Sequence, residues 1–166
     1  PQLAVNTGFI SYAERDTRLV TSFIDLLKDR LSILDECQVD AWWARQHLLV
    51  GHTWRDEIDT AMSESDFGLF LVSPAFLASE FIGNVELAHF TKRPESLVIP
   101  VGLKTVNLQT SNMKGLADKQ IFRYRKEREP GGRWFNTTSG ANRDRFCDQL
   151  VDEMLIRFRE EGYLDV

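Results

Sequence analysis

Short apolar segments alternate along this chain with stretches whose apolar residues recur every three or four positions. Segments at residues 8–12, 39–43, 67–72 and 97–101 predict four strands, and a fifth strand is predicted around residues 120–124. Residues 67–72 (FGLFLV) show no polar alternation, which is typical of a strand covered on both faces of a parallel sheet.

Between these strands the helical spacing is regular. Asp16 is a candidate N-cap for a first helix, and Ser79 can cap a later one. A closing helix is predicted over residues 143–162. The apolar positions that carry the pattern are Leu19, Phe23, Leu26, Leu27, Leu31 and Leu34 in the first helix, Ile58, Ala61 and Met62 in a short second helix, Ile82, Val85, Leu87 and Phe90 after Ser79, and Phe146, Leu150, Met154, Leu155 and Phe158 at the end.

Strands that alternate with helices predict a parallel sheet with helices on both faces. A chain of 166 residues fits one domain, residues 1–166, with a single core. At this size we expect an α/β, flavodoxin-like three-layer sandwich with a five-stranded parallel sheet of order 2-1-3-4-5. Pro1 stands where an initiator Met is usual, so we expect the domain to be excised from a longer protein.

Composition narrows the class of partner. The chain has 20 Lys and Arg against 25 Asp and Glu, a net charge of −5, which disfavours nucleic acid and anionic membrane as partners. The basic residues within 119–133 are interrupted by acids and indicate a solvated loop. No apolar run approaches the ~20 residues that span a bilayer. Two distant cysteines, Cys37 and Cys147, favour a reducing, cytoplasmic setting, and no residue spacing indicates a metal site.

The predicted topology points to one crevice. In a sheet of this order the strand sequence reverses between strands 1 and 3, and ligands bind at the carboxyl ends there. The helix that follows strand 3 begins beside that crevice, and Glu86 lies in its second turn among apolar neighbours. Burying a carboxylate in such an environment is costly unless it is hydrogen-bonded or paired, which makes Glu86 a candidate functional residue. A solvated glutamate on the helix face is the alternative interpretation.

Five short motifs occur in order and in register along the chain. They are Phe9-Ile10-Ser11-Tyr12, then Leu48 and Gly51, then Val72-Ser73-Pro74, then Ser79-x-Phe81-x4-Glu86-Leu87, and then Val98-Ile99-Pro100-Val101. Together they resemble a TIR (Toll/interleukin-receptor) domain over residues 7–103, and the final helix extends the resemblance. Some members of that family are scaffolds, whereas others cleave NAD+ between nicotinamide and ribose.

The resemblance implies that Glu86 is the catalytic carboxylate of an NAD+ glycohydrolase or cyclase, with NAD+ as substrate and no further cofactor. One carboxylate suffices because nicotinamide is already cationic in NAD+ and leaves as a neutral molecule without a general acid. The remaining task is to stabilise an oxocarbenium-like sugar with a positioned anion. Attack by water would give ADP-ribose, and attack from within the molecule would give a cyclic isomer. Both outcomes stay open.

The resemblance also implies substrate-binding positions. Tyr12, Ala13 and Arg15 follow strand 1 on the nicotinamide-ribose and phosphate side, and Arg15 could face the pyrophosphate. Ser79 and Phe81 precede Glu86 in the same motif.

Residues 44–54 correspond to the mobile loop of the family, which packs on a neighbouring subunit in assembled enzymes. Trp54 at its end is a candidate for adenine stacking or subunit contact.

Two positions depart from the family pattern. Ala44 stands where many members have Asp, and Ile82 stands where several enzymes have Trp. A non-enzymatic scaffold that signals by homotypic contacts therefore remains the alternative. A phosphate-accepting receiver domain would need acids where Ser11 and Ser73 lie. The preferred expectation is a cytoplasmic effector of immune or antiphage defence, activated by TIR–TIR self-association and attached to other domains of the full-length protein.

Overall fold

The computed structural model describes residues 4–43, 54–93, 97–116 and 121–164 of the chain. The strands are β1 (Ala4–Ser11), β2 (Cys37–Trp43), β3 (Phe67–Val72) and β4 (Leu97–Gly102), and the helices are α1 (Thr17–Leu31), α2 (Trp54–Ser63), α3 (Pro74–Ala78), α4 (Ala88–Thr91) and α5 (Ala141–Glu160). Glu14–Asp16 and Phe135–Thr137 form 3-10 turns, and a π-helical segment, Ile82–Leu87, leads directly into α4.

The four strands form one parallel sheet of order β2-β1-β3-β4. This arrangement confirms the predicted α/β class and the predicted order of the first four strands. Ser11 pairs with Phe70, and Val72 pairs with Gly102, so β1, β3 and β4 end at one edge of the sheet. We call this the carboxyl edge.

The predicted fifth strand is not seen among the described residues, where the sheet contains four strands, and its first predicted residue, Gln120, lies outside them. Phe122 forms a single parallel bridge to Val101, with N–H···O distances of 2.8 Å to each side, at the position where strand 5 was expected. Extending the ladder would require an N–H from Pro100, which proline lacks. On the other side the Tyr124 N–H donates to the Arg133 carbonyl at 2.9 Å, which draws the segment into an antiparallel bridge.

Apolar residues cover both faces of the sheet. Neighbouring strand residues point to opposite faces, so Ile10 packs with Phe23 of α1 and Phe146 of α5, whereas Phe9 packs with Phe90 of α4. Two apolar clusters therefore sandwich the sheet, as the three-layer prediction expects. In the described part of the chain, no helix combines the length and the hydropathy needed to cross a membrane.

Candidate functional site

The carboxyl edge collects polar side chains that the sequence separates widely. Ser11 ends β1, Ser73 directly follows β3, and Lys104 lies two residues beyond β4. Parallel strands end on the same side of a sheet, which is why these residues meet. The edge lies beside the point where the strand order reverses between β1 and β3.

Glu86 is buried behind this edge. Its residue is 1% exposed, and Ser11 donates a short side-chain hydrogen bond to its Oε2 across 75 positions of sequence. A carboxylate taken out of water is costly unless hydrogen bonds compensate it, and the Ser11 hydroxyl supplies one of them. The alternative of a solvated helix-face glutamate is therefore wrong.

The local chain explains how Glu86 is presented. Ser79 caps the helical segment as predicted, because the Ile82 N–H donates to its Oγ at 3.2 Å. The next turns are π-helical, and Ile82 and Leu87 in them are buried with Glu86. A π segment inserts extra backbone into a helix and occurs frequently at functional sites. This segment directs the Glu86 side chain toward the end of β1.

A second buried carboxylate lies at the same edge. The Asp16 side chain is 1% exposed, and its Oδ1 is 2.9 Å from the Lys104 Nζ. Its Oδ2 accepts a short hydrogen bond from the Ser73 hydroxyl, whose oxygen in turn accepts the Phe76 N–H at 3.0 Å. Asp16 thereby ties together the segments that follow β1, β3 and β4.

The prediction that the Asp16 side chain caps α1 is wrong. Asp16 does precede α1, but its two carboxylate oxygens bond Ser73, which follows β3, and Lys104, which follows β4. The chain enters the helix through the 3-10 turn Glu14–Asp16. The Thr17 hydroxyl bonds the Glu14 carbonyl at 2.5 Å within that turn. The Asp16 carboxylate therefore bonds residues distant in sequence instead of the first backbone N–H groups of α1.

The predicted substrate-binding residues after β1 fall into different environments. Tyr12 is 1% exposed and belongs to the cluster under α1 and α5, whereas Ala13 is buried in the cluster on the α4 side. Arg15 is exposed in the 3-10 turn. Of the three, only Arg15 presents its side chain to solvent in this conformation.

The remaining predicted residues lie along the helices next to Glu86. Ser79 is half-buried and serves as the cap described above, and Phe81 is half-buried with the Arg55 guanidinium 5.7 Å from its ring centroid. Trp54 is the first residue of α2. The Trp54 side chain and the loop at residues 44–53 lie outside the described residues.

Sequence reasoning missed the partners of the two carboxylates. From the sequence, Ser11 and Ser73 are placed in two family motifs, where a receiver site would need acids, but neither serine is paired with a carboxylate and Lys104 is assigned no role. The available signal was their common position at strand ends, since a predicted parallel sheet already brings such residues to one edge. Pairing each serine with its own carboxylate required the three-dimensional structure.

This arrangement can hold a negative charge at a defined position behind the carboxyl edge of the sheet. The hydrogen bond from Ser11 fixes the Glu86 carboxylate. The bonds of Asp16 with Ser73 and Lys104 fix the segment that follows Ser11 at the end of β1. Among the described residues, no group of three or more His, Cys, Asp or Glu side chains could hold a metal ion. The site therefore holds two buried carboxylates, Glu86 bonded by Ser11 and Asp16 bonded by Ser73 and Lys104.

Comparison with known proteins gives a family match but no similar curated protein. A family model described as a TIR domain matches residues 9–135, about three quarters of the chain. The match runs from Phe9 near the end of β1 to Phe135, and so includes Ser11, Asp16, Ser73, Glu86 and Lys104. No curated protein matches the chain.

Proposed function

The chain belongs to the TIR domain family, and from that premise we propose that it is an NAD+ glycohydrolase or cyclase in which Glu86 is the catalytic carboxylate. The proposed enzyme acts as an effector in cytoplasmic immune or antiphage signalling. It is activated when copies of the domain associate with one another.

One observation carries this proposal, namely the buried Glu86 carboxylate hydrogen-bonded to Ser11 at the end of β1. Burying an acid among apolar residues destabilises a fold, so such a group is a candidate for function. Its position beside the strand-order reversal is where ligands bind in open α/β sheets. Arg15, exposed in the neighbouring turn, is available for the pyrophosphate.

The proposed reaction needs only this carboxylate. The bond between the ribose C1′ and the nicotinamide nitrogen breaks, and its electron pair neutralises the pyridinium as nicotinamide departs. The positive charge moves to the sugar, where the Glu86 carboxylate stabilises it electrostatically. Water then adds to C1′ and releases a proton, which gives ADP-ribose. A nucleophilic nitrogen of the adenine would give a cyclic isomer instead.

Substrate entry requires a change of conformation. The Glu86 residue is 1% exposed, so a ribose hydroxyl could reach its carboxylate only after the surrounding residues move. Opening of the carboxyl edge would have to precede catalysis, which accords with an enzyme that assembly switches on. The Ser11 hydroxyl would then exchange its hydrogen bond with Glu86 for one in which the substrate takes part.

A non-enzymatic scaffold is the second candidate, and the same burial favours it. A carboxylate that stays closed off would serve only to fix the π segment against β1. Ile82, which stands where several family enzymes have Trp, is buried and offers no aromatic surface for nicotinamide. The scaffold would signal through contacts between TIR domains alone.

The deciding experiment follows nicotinamide release from NAD+ by chromatography at high protein concentration. We expect release by the wild-type domain and at least a thousandfold loss in Glu86→Gln, which keeps the shape of the side chain and removes its charge. Glu80→Gln is the matched control, because Glu80 is exposed six residues earlier on the same helical stretch. Release that survives in Glu86→Gln refutes the catalytic assignment. No release by the wild type under crowded conditions favours the scaffold.

A second experiment tests activation by assembly. We expect Trp54→Ala to lower the specific activity more at low protein concentration than at high concentration, because a weakened subunit contact is restored by mass action. An equal loss at every concentration would argue against a subunit-contact role for Trp54. The wild-type curve itself should rise more steeply than linearly with protein concentration.

A further inference from the structure

Ser11 lies at the end of a rigid element. It is the last residue of β1, an inner strand that pairs with β2 on one side and with β3 on the other. Its backbone is in register with Phe70 of β3, and the residue is 1% exposed. The sheet hydrogen bonds fix the backbone of such a residue, and close packing limits its side-chain rotamer. The Ser11 hydroxyl therefore has a defined position at the carboxyl edge.

Glu86 belongs to a less regular element. It lies in the π-helical segment Ile82–Leu87, whose backbone hydrogen bonds join residues five apart instead of four. A glutamate side chain also has several rotatable bonds, and holding them in one arrangement costs conformational entropy. The backbone of the π segment alone does not select one direction for the carboxylate.

One hydrogen bond joins these two elements. The Ser11 hydroxyl donates to the Glu86 Oε2, and both residues are 1% exposed. A serine hydroxyl has a single hydrogen to donate, so the bond selects one carboxylate oxygen and one direction. Hydrogen bonds to charged acceptors are shorter and stronger than those between neutral groups. The strand thus determines where the carboxylate points.

Other contacts already hold the surrounding backbone. Ile82 and Leu87 are buried in the cluster on the α4 side, which anchors the π segment to the sheet. Asp16 joins the segments that follow β1, β3 and β4. Because these contacts fasten the backbone, the specific effect of the bond between Ser11 and Glu86 is on the orientation of the carboxylate.

From these contacts we propose that Ser11 is a positioning residue, which sets the direction of the Glu86 carboxylate before NAD+ arrives. This role rests on the proposed function, because it matters only if Glu86 acts on the sugar. An anion stabilises a developing positive charge best when it is already oriented, since no reorganisation is then needed during the reaction. Without the Ser11 hydroxyl, the carboxylate remains but its direction is no longer fixed.

Steady-state kinetics of nicotinamide release test this role, at a protein concentration at which the wild type is active. Ser11→Ala should lower kcat about 10- to 100-fold, because a small misplacement of a reacting group has an effect of that order. The KM for NAD+ should stay within about threefold of the wild-type value, since the change removes orientation and not a substrate contact. Ser11→Thr keeps the hydroxyl and should keep most of the wild-type kcat.

Ser65→Ala is the matched control for the loss of a buried hydroxyl. Ser65 is 7% exposed and donates to the Ala61 carbonyl at 2.6 Å. It precedes β3, and so lies at the edge of the sheet opposite to Glu86. Ser65→Ala should lose stability in urea without a change in kcat. An equal fall of kcat in Ser65→Ala and Ser11→Ala would overturn the role of Ser11, because activity would then follow stability alone.

The remaining outcomes separate this role from the catalytic assignment. A wild-type kcat in Ser11→Ala, or a rise in its KM with kcat unchanged, would overturn the role of Ser11 and leave Glu86 as the catalytic residue. A Ser11→Thr variant of wild-type stability that has the kcat of Ser11→Ala would do the same. A wild type that releases no nicotinamide, or a fully active Glu86→Gln, would overturn the proposed function and this role with it. Circular dichroism of each variant excludes unfolding as the cause.

Discussion

Replacing Asp16 by alanine should destabilise the domain far more than replacing an ordinary surface aspartate. Its carboxylate joins the exits of three strands through Ser73 and Lys104, and the side chain is only 1% exposed. Asp16→Ala removes both contacts and leaves the Ser73 hydroxyl, fully buried, without its acceptor.

The magnitude follows from the two partners. A hydrogen bond to a charged group contributes about 1.5–3 kcal/mol, and a buried hydroxyl left unsatisfied costs about 1–3 kcal/mol. The Lys104 side chain is 38% exposed, so it regains water on losing Asp16, and that contact is discounted to about 0.5–1 kcal/mol. The lost hydrogen bond and the unsatisfied Ser73 hydroxyl describe the same contact, so it is counted once, and together with the Lys104 contact it predicts a loss of about 2–4 kcal/mol, centred on about 3 kcal/mol. Asp16→Asn, which keeps one acceptor oxygen, should lose about half as much.

Urea unfolding followed by circular dichroism measures this difference in the free energy of unfolding. In a separate thermal melt, a loss of about 3 kcal/mol should lower the midpoint by about 6–12 °C in a domain of this length. Asp25→Ala is the matched control, because Asp25 is exposed on α1, and its change should stay within about 0.5 kcal/mol. A loss below about 1 kcal/mol in Asp16→Ala, no larger than that of the control, would refute the view that this network holds the carboxyl edge together.

The other predictions concern packing and thiol chemistry. Gly8→Ala should lower the free energy of unfolding in urea by about 1–3 kcal/mol, because the new Cβ would lie 2.2 Å from the Phe67 ring. Gly83→Ala should be neutral or stabilising, because its Cβ would make only ordinary contacts at 3.6 Å. Similar losses in both variants would contradict this reasoning. Burial raises the pKa of the Cys147 thiol to about 12, and the pKa of Cys37 is also raised, by burial and by the nearby Glu36. Because the thiolate is the reactive form, the native protein at pH 8 should react with Ellman's reagent at least a hundredfold more slowly than the urea-unfolded protein. The rate of the native protein should rise about tenfold for each added pH unit. A rapid reaction of the native protein at pH 8 would contradict this, because it would show that the thiols are accessible.

Hydrophobic patterning was sufficient for the elements that are buried on both faces. The run at Phe67–Val72 forms β3 with the predicted bounds, and the predicted final helix differs from α5 by two residues at each end. Such segments are determined by their own periodicity, because any other conformation would expose apolar surface. The same reasoning correctly located Ile58 and Met62 in the core under α2.

Sequence patterning was insufficient where a residue's partner is distant in sequence. Asp16 has the local features of an N-cap, yet it bonds Ser73, 57 residues away. The residues near Phe122 have strand-like composition, but Pro100 on the neighbouring strand lacks the N–H that would continue the ladder. The conformational propensity of a short segment is a weak constraint when a buried charge, such as that of Asp16, needs a hydrogen-bond partner distant in sequence.

The candidate site was predicted in part. The position of Glu86 behind the third strand and among apolar residues followed from the strand order and the helical spacing. Its hydrogen bond with Ser11 and its π-helical backbone did not, since no local signal in the residues 82–87 distinguishes a π segment from an α-helix. The closed state of the carboxylate likewise depends on tertiary packing.

The most direct test of the central claim is a crystal structure of the Glu86→Gln variant with NAD+ bound. If Glu86 acts on the sugar, the nicotinamide-ribose hydroxyls will lie within about 3.2 Å of the amide at position 86, with Ser11 beside them and the carboxyl edge opened. A structure in which that side chain remains closed on Ser11, while NAD+ occupies another part of the surface, would contradict the claim.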